Sequence, residues 1–211
     1  MKKLLFFTLT LLTLSACTSL RSVSEKGSPF SATQREMILS GDANTPMRVF
    51  LITNKQDSLL LRTHSQNVKA DPKDPVLQLF IQRLYRTVTD SQSLGVGIAA
   101  PQVGILKNII WVQRFDKPGF PFEAYLNPVI RQYSTKKQPC AEGCLSIPDT
   151  RGTTQIRAYA ILLEYDRPDG SHQIEMVEDF TAVIFQHEID HLNGILFIDH
   201  LQEEIRKAKG R

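Results

Sequence analysis

Apolar positions fall into two helical stripes with shorter, strand-like runs between them. Leu77, Phe80, Ile81, Leu84 and Val88 recur at intervals of three and four, which is one face of a helix. Asp74-Pro75 ahead of them supplies a capping acid and a proline at the first helical position. The pattern predicts a helix that serves packing, with Gln78, Gln82, Arg83 and Arg86 on its exposed face. Phe180, Val183, Ile184, His187 and His191 make the second stripe, with Asp179 placed to cap it and Gly194 to stop it. Segments 108–115, 127–130 and 157–165 read as strands. The turn residues Asp166-Arg-Pro-Asp-Gly170 pair 157–165 with 172–178 as a hairpin. Strands in the middle and helices at the flanks predict an α+β domain, not a parallel βαβ one.

The chain opens differently. Met1-Lys2-Lys3 precedes an apolar run, Leu4–Leu14, interrupted only by Thr, and then Ser15-Ala16-Cys17. A positive start, a short apolar stretch and small residues before a break describe a secretory signal peptide, and the run is too short to span a bilayer comfortably. Leu14-Ser15-Ala16-Cys17 resembles the lipobox of bacterial lipoproteins, whose cysteine is acylated. The expected organisation is a signal peptide over 1–16, a lipid-anchored flexible tether over 17–45 and a catalytic domain over 46–211. The expected location is the cell envelope, with the membrane reached only through Cys17. The alternative is a cytoplasmic protein that starts at Met37.

Composition narrows the classes. The 211 residues carry 25 Lys and Arg against 22 Asp and Glu, a net charge of +3 that falls to +1 without Lys2 and Lys3. That balance gives no argument for nucleic acid. Three cysteines, Cys17, Cys140 and Cys144, are too few for a disulfide framework.

The candidate chemistry lies in three segments. In His187-Glu188-Ile189-Asp190-His191 the histidines are four apart, so on a helix both imidazoles face one cation. Glu188 projects about 100° round from His187, where it can take a proton from a metal-bound water without ligating. A third ligand is needed, and no histidine follows at the spacing of the extended metallopeptidase pattern, Phe197 standing there instead. Cys144 in Glu142-Gly-Cys-Leu-Ser146 is the upstream source, against readings as a buried thiol or as a Cys140–Cys144 disulfide. Gly95-Val96-Gly97-Ile-Ala-Ala-Pro-Gln102 lacks the spacing of a nucleotide loop. Its small residues Gly95, Val96 and Gly97 let backbone approach a ligand, and Gln102 offers an amide N–H to an oxyanion.

Taken in order, these segments closely resemble the motif set of peptide deformylases, supported by Asn127-Pro128, Ile147-Pro148 and Leu192-x-Gly194-x-Leu196-Phe197, over about residues 46–205. The resemblance implies antiparallel β-sheets around a central helix carrying His-Glu-x-x-His. It implies one divalent metal, Fe²⁺ or Zn²⁺, on Cys144, His187 and His191, with Glu188 as general base and then acid. Gln102 and the Leu145 backbone N–H would form the oxyanion hole, and Arg151 stands where a basic residue follows the cysteine motif. The activity implied is hydrolysis of the formyl group of formyl-methionyl peptides by a monomeric enzyme of protein biosynthesis. Leu94 departs from the pattern, since many members carry glutamate before the first glycine. The stretch Met37–Leu61 is longer and less regular than the usual opening. Two other readings use the same site: an exported metallopeptidase or amidase, and a non-catalytic binder of formylated peptides.

Overall fold

A computed structural model describes residues 29–91, 93 and 95–210. The expected signal peptide, Cys17 and Leu94 lie outside the described residues. In chain order the elements are α1 (Ala32–Leu39), α2 (Lys55–Leu61), α3 (Pro75–Val88), β1 (Gly97–Ala99), a 3-10 turn (Ala100–Val103), β2 (Ile109–Gln113) and β3 (Phe122–Tyr133). They continue with β4 (Lys137–Cys144), β5 (Ile147–Ala158), β6 (Ala160–Asp166), β7 (His172–Glu178), α4 (Asp179–Leu192) and α5 (Phe197–Ala208).

Five strands form an antiparallel sheet in the order β1-β2-β3-β6-β7, and β4 with β5 form a separate hairpin. Around β1 and β2 the sheet is covered on both faces, whereas β7 leaves Ile174 and Met176 exposed. Adjacent residues of β2 point to opposite layers: Ile109 joins Leu77, Phe80 and Leu84 of α3, while Ile110 and Val112 join Ala182, Phe185 and Ile189 of α4. α4 therefore lies between the sheet and the β4–β5 hairpin, the central position expected for the helix carrying both histidines.

Several expectations need correction. α3 starts where Asp74 accepts from the Val76 and Leu77 amides, as its cap predicts. Arg83, however, is buried. Its guanidinium donates to the Thr45, Met37 and Ile38 carbonyls and so ties the N-terminal segment to α3. The tether expected over 17–45 gives way to folded structure by Phe30. Ser31 and Gln34 close a capping box on α1, and Phe30 and Ile38 enter the core. The strand expected over 157–165 is two, because the chain turns at Tyr159 from β5 into β6. The hairpin itself forms, with Ala160 opposite Glu178 and Asp166 opposite His172. Asp179 does not cap α4 through its side chain. It is the first helical residue, at φ +56°, and Glu178 is the cap residue. Gly194 does end the helix, at φ +72°.

Candidate metal centre and catalytic cleft

α4 presents His187 and His191 one turn apart, with ring centroids 5.0 Å from each other. The end of β4 brings Cys144 to them, its Sγ 3.2 Å from His191 Nε2. One donor atom from each of Cys144, His187 and His191 lies within 4.8 Å of the other two. A thiolate with two imidazoles suits a divalent transition metal and leaves a fourth position open to water or substrate.

A polar network fixes the donors from behind. His187 Nδ1 donates to Glu142 Oε2 at 2.8 Å, which turns Nε2 toward the cluster. Glu142 also accepts from Arg157 Nε and Nη2, both at 2.9 Å, and from the Thr154 hydroxyl. Arg157 then reaches Asp190 Oδ2 at 2.6 Å, and His200 meets the same oxygen at 2.8 Å. Burial alone would push the Glu142 carboxyl up, but its bonds to His187 and Arg157 outweigh that and hold it down to about 2. Burial likewise opposes charge on His187, yet bonds to Cys144 and Glu142 push it up to about 10 in the metal-free protein. A cation at that point competes for the same nitrogen, so metal binding should release a proton. Burial lowers His191 well below the usual imidazole value.

Glu188 projects from the same helix into the cleft, 4% exposed, and its Oε2 has no protein partner among the described residues. Burial pushes its carboxyl up to about 7. Gly97 explains how it fits: a Cβ there would sit 2.5 Å from Glu188 Oε1. Gln102, 2% exposed, is fixed in orientation. Its Oε1 accepts from the Ala99 amide at 2.9 Å, so its NH₂ faces Cys144 Sγ at 3.5 Å and Ser146 Oγ at 3.3 Å.

All of this opens on a cavity of about 840 Å³. Gly95, Val96 and Gly97 form one wall and Leu145 lies against another, so every sequence-predicted site residue except His191 lines it; His191 sits behind Cys144. Arg151 stands at the rim opposite Gly143, also on the cavity wall. Cys140 lines the cavity as a free thiol, pushed up by burial and then by Glu142. The disulfide reading fails on geometry. Four strand residues at ~3.3 Å each hold Cys140 and Cys144 apart by about 13 Å, well beyond disulfide reach. The supporting residues Arg157, Thr154, Asp190 and His200 were not identified from sequence. Asp190 lies within the His187–His191 motif on α4, but His200 comes from α5, and Arg157 and Thr154 reach Glu142 only through strand pairing.

Comparisons with known proteins agree on one family. Residues 49–207 match the family described as Polypeptide deformylase. A peptide deformylase of Desulforudis audaxviator is 36% identical over 155 residues, which is 72% of this chain and 94% of that protein. One of Prochlorococcus marinus strain NATL2A is 33% identical, covering 87% of this chain and 86% of the relative. Among solved structures, a class I type b peptide deformylase from Acinetobacter baumannii with Met-Ala-Ser bound superposes with a TM-score of 0.65. It is 31% identical over 74% of this chain and 99% of its own.

Proposed function

The chain belongs to the polypeptide deformylase family, and on that premise we infer that it hydrolyses the N-terminal formyl group of formyl-methionyl peptides, releasing formate and a free amine. The observation that carries this reading is the convergence of Gln102, Cys144, His187, Glu188 and His191 on one cleft in a member of that family.

Cys144, His187 and His191 would hold a divalent cation, which would supply Lewis acidity toward the formyl carbonyl and lower the pKa of a water. Glu188 takes a proton from the attacking water and delivers one to the departing amine. As the C–O bond to the attacking water forms, negative charge develops on the formyl oxygen, and it returns to re-form the carbonyl as the C–N bond breaks. The Gln102 NH₂, held in place through the Ala99 amide before substrate arrives, and the Leu145 backbone N–H receive that charge. Gly95 and Gly97 offer backbone to an extended peptide with no side chain in its way, and Val96 lines the same wall. Glu142 and Arg157 hold His187 in the ligating tautomer.

The test is formate release from formyl-Met peptides by the metal-loaded protein. Glu188→Ala should abolish turnover while the metal stays bound. Cleavage of internal peptide bonds with no formate would favour the metallopeptidase reading instead.

Location rests on the first seventeen residues. The basic start, the apolar run and the Leu14-Ser15-Ala16-Cys17 sequence support export, with acylation at Cys17 and residues after it linking the anchor to the folded body. The enzyme then acts as a monomer on formylated peptides at the cell envelope. An oxygen-exposed Fe²⁺–thiolate site is vulnerable to oxidation, so this location favours Zn²⁺. Fatty-acid labelling that disappears in Cys17→Ser supports the anchor, and labelling that persists refutes it. Metal analysis of protein purified under nitrogen distinguishes the two ions.

A further inference from the structure

A second cavity, of about 430 Å³, opens where the start of α1 meets residues 63–66 and 106–107. It shares no lining residue with the catalytic cleft. Its charge is one-sided: Lys107 and His64 line it, and no Asp or Glu does. Lys107 is the unusual member. It is only 8% exposed, and among the described residues its ammonium has a single partner, the uncharged Gln66 Oε1 at 3.1 Å. Burial holds it below the usual lysine value, and no carboxylate offsets that. A buried cation without a counter-ion costs free energy that an anionic ligand would restore.

The neighbours of Lys107 are donors as well. Gln66 Oε1 is taken up by Lys107, and Gln34 Oε1 by the Ser31 N–H at 3.0 Å. Each amide therefore has its NH₂ end left to offer the cavity, and the Lys107 ammonium keeps donors beyond the one that Gln66 takes. Backbone bonds fix the pair side by side. Gln66 N–H donates to the Leu106 carbonyl at 3.2 Å, and Asn108 N–H to the Gln66 carbonyl at 2.8 Å. Phe30 and Leu106 give the same cavity an apolar side. A phosphate monoester suits such a set better than a carboxylate, because it brings more acceptor oxygens and about twice the charge.

We propose that this cavity binds a phosphate monoester, its oxygens held by Lys107, His64 and the NH₂ groups of Gln34 and Gln66, and its organic part against Phe30 and Leu106. The site is independent of the deformylase reading, since none of these residues serves the metal centre. Two sources present the same group: a soluble phosphate monoester, and the headgroup of a phospholipid that ends in one.

The experiment titrates glycerol 3-phosphate into the full, metal-loaded chain by calorimetry. In parallel the chain is sedimented with vesicles of phosphatidylcholine alone or of phosphatidylcholine mixed with phosphatidic acid. One saturable site per chain is expected, weakened about tenfold or more in Lys107→Met. Gln66→Glu should weaken it as much, because it keeps the side chain's size but gives Lys107 an internal carboxylate and removes an NH₂. Both variants should retain the wild-type metal content, which reports an intact fold. A preference for the vesicles with phosphatidic acid, lost in both variants, makes lipid the source. Binding of glycerol 3-phosphate without that preference makes it a soluble monoester, and either result supports the site. Binding of neither probe overturns it. So does binding unchanged in both variants, which would place the phosphate elsewhere, at the metal for example. Binding that appears only in Glu25→Gln would make Lys107 the partner of that carboxylate and also overturn the proposal.

Discussion

At the scale of single residues, the site depends on positions where nothing larger fits. Gly97 is the sharpest case, because a methyl group there would meet the Glu188 carboxylate at 2.5 Å. Gly97→Ala should displace the carboxylate and lower kcat/KM for a formyl-Met peptide by about a hundredfold, the cost of a small misplacement. Bound metal should be unchanged, since Glu188 is not among the three donors; metal loss in parallel with activity would contradict this. Glu142 is the second case. Its removal leaves Arg157 buried with Asp190 alone and frees His187 Nδ1. Glu142→Ala should weaken metal binding about 10- to 100-fold, measured by competition with a chelator. It should also cost about 3–5 kcal/mol in urea unfolding, because it strands a buried charge. The sequence made the first case partly legible. Gly-x-Gly announces backbone that must be approached closely, yet not which side chain does so.

At the scale of elements, amphipathic periodicity is readable when an element packs one face against a large apolar surface. α3 and α4 do, and their stripes located them to within a residue or two. β4 and β5 have one face largely in solvent and few apolar residues, so alternation there carries little signal. α5 did leave a trace, Phe197, Leu201 and Ile205 at helical spacing, but the last of these stays exposed. It docks on β5 where Gly152 admits the Leu201 side chain, a fit that spacing alone does not announce. α1 was hidden by its surroundings, since a serine-rich stretch runs into it without a composition change. Its weight can be measured. Ile38 is fully buried, so Ile38→Ala should destabilise by about 2–5 kcal/mol, and Ser31→Ala by about 1 kcal/mol. A tether would show neither loss in a denaturant titration.

At the scale of the whole molecule, buried charge joins distant strands. Arg114 ties the end of β2 to Asp116, to Tyr125 on β3 and to Glu175 on β7. Asp116 is held below the usual carboxylate range by its bond to Arg114. Burial would raise Glu123, but Lys117 and Tyr125 bring it below that range too. Glu142, near 2, is the extreme case. Carboxyl groups depressed in the folded state add stability above their unfolded pKa, roughly 4, and lose it as pH falls through the folded value. Since His187 is raised and His191 lowered, their contributions between pH 7 and 5 oppose each other. Glu188, raised to about 7 by burial, adds stability as pH falls from 7 toward 5, so the melting temperature of the metal-free protein should rise over that range. It should then fall steeply between about pH 4.5 and 2, and a rise over that window would contradict the assignment.

The sequence by itself determined the candidate donor set, the helix that presents two of its members, the glutamate beside them and the α+β class. Those features are local: spacing on one helix and the chemistry of a few side-chain types decide them. Tertiary structure alone decided which buried partners hold the donors, that Arg83 turns inward to bind three carbonyls, and that Phe180, Phe115 and Phe120 meet in a row. Arg157 reaches Glu142 because β5 pairs with β4 in one register, and Phe115 reaches Phe180 because α4 crosses the end of β2. Contacts between residues far apart in the chain depend on how layers pack, and no periodicity along one segment encodes them.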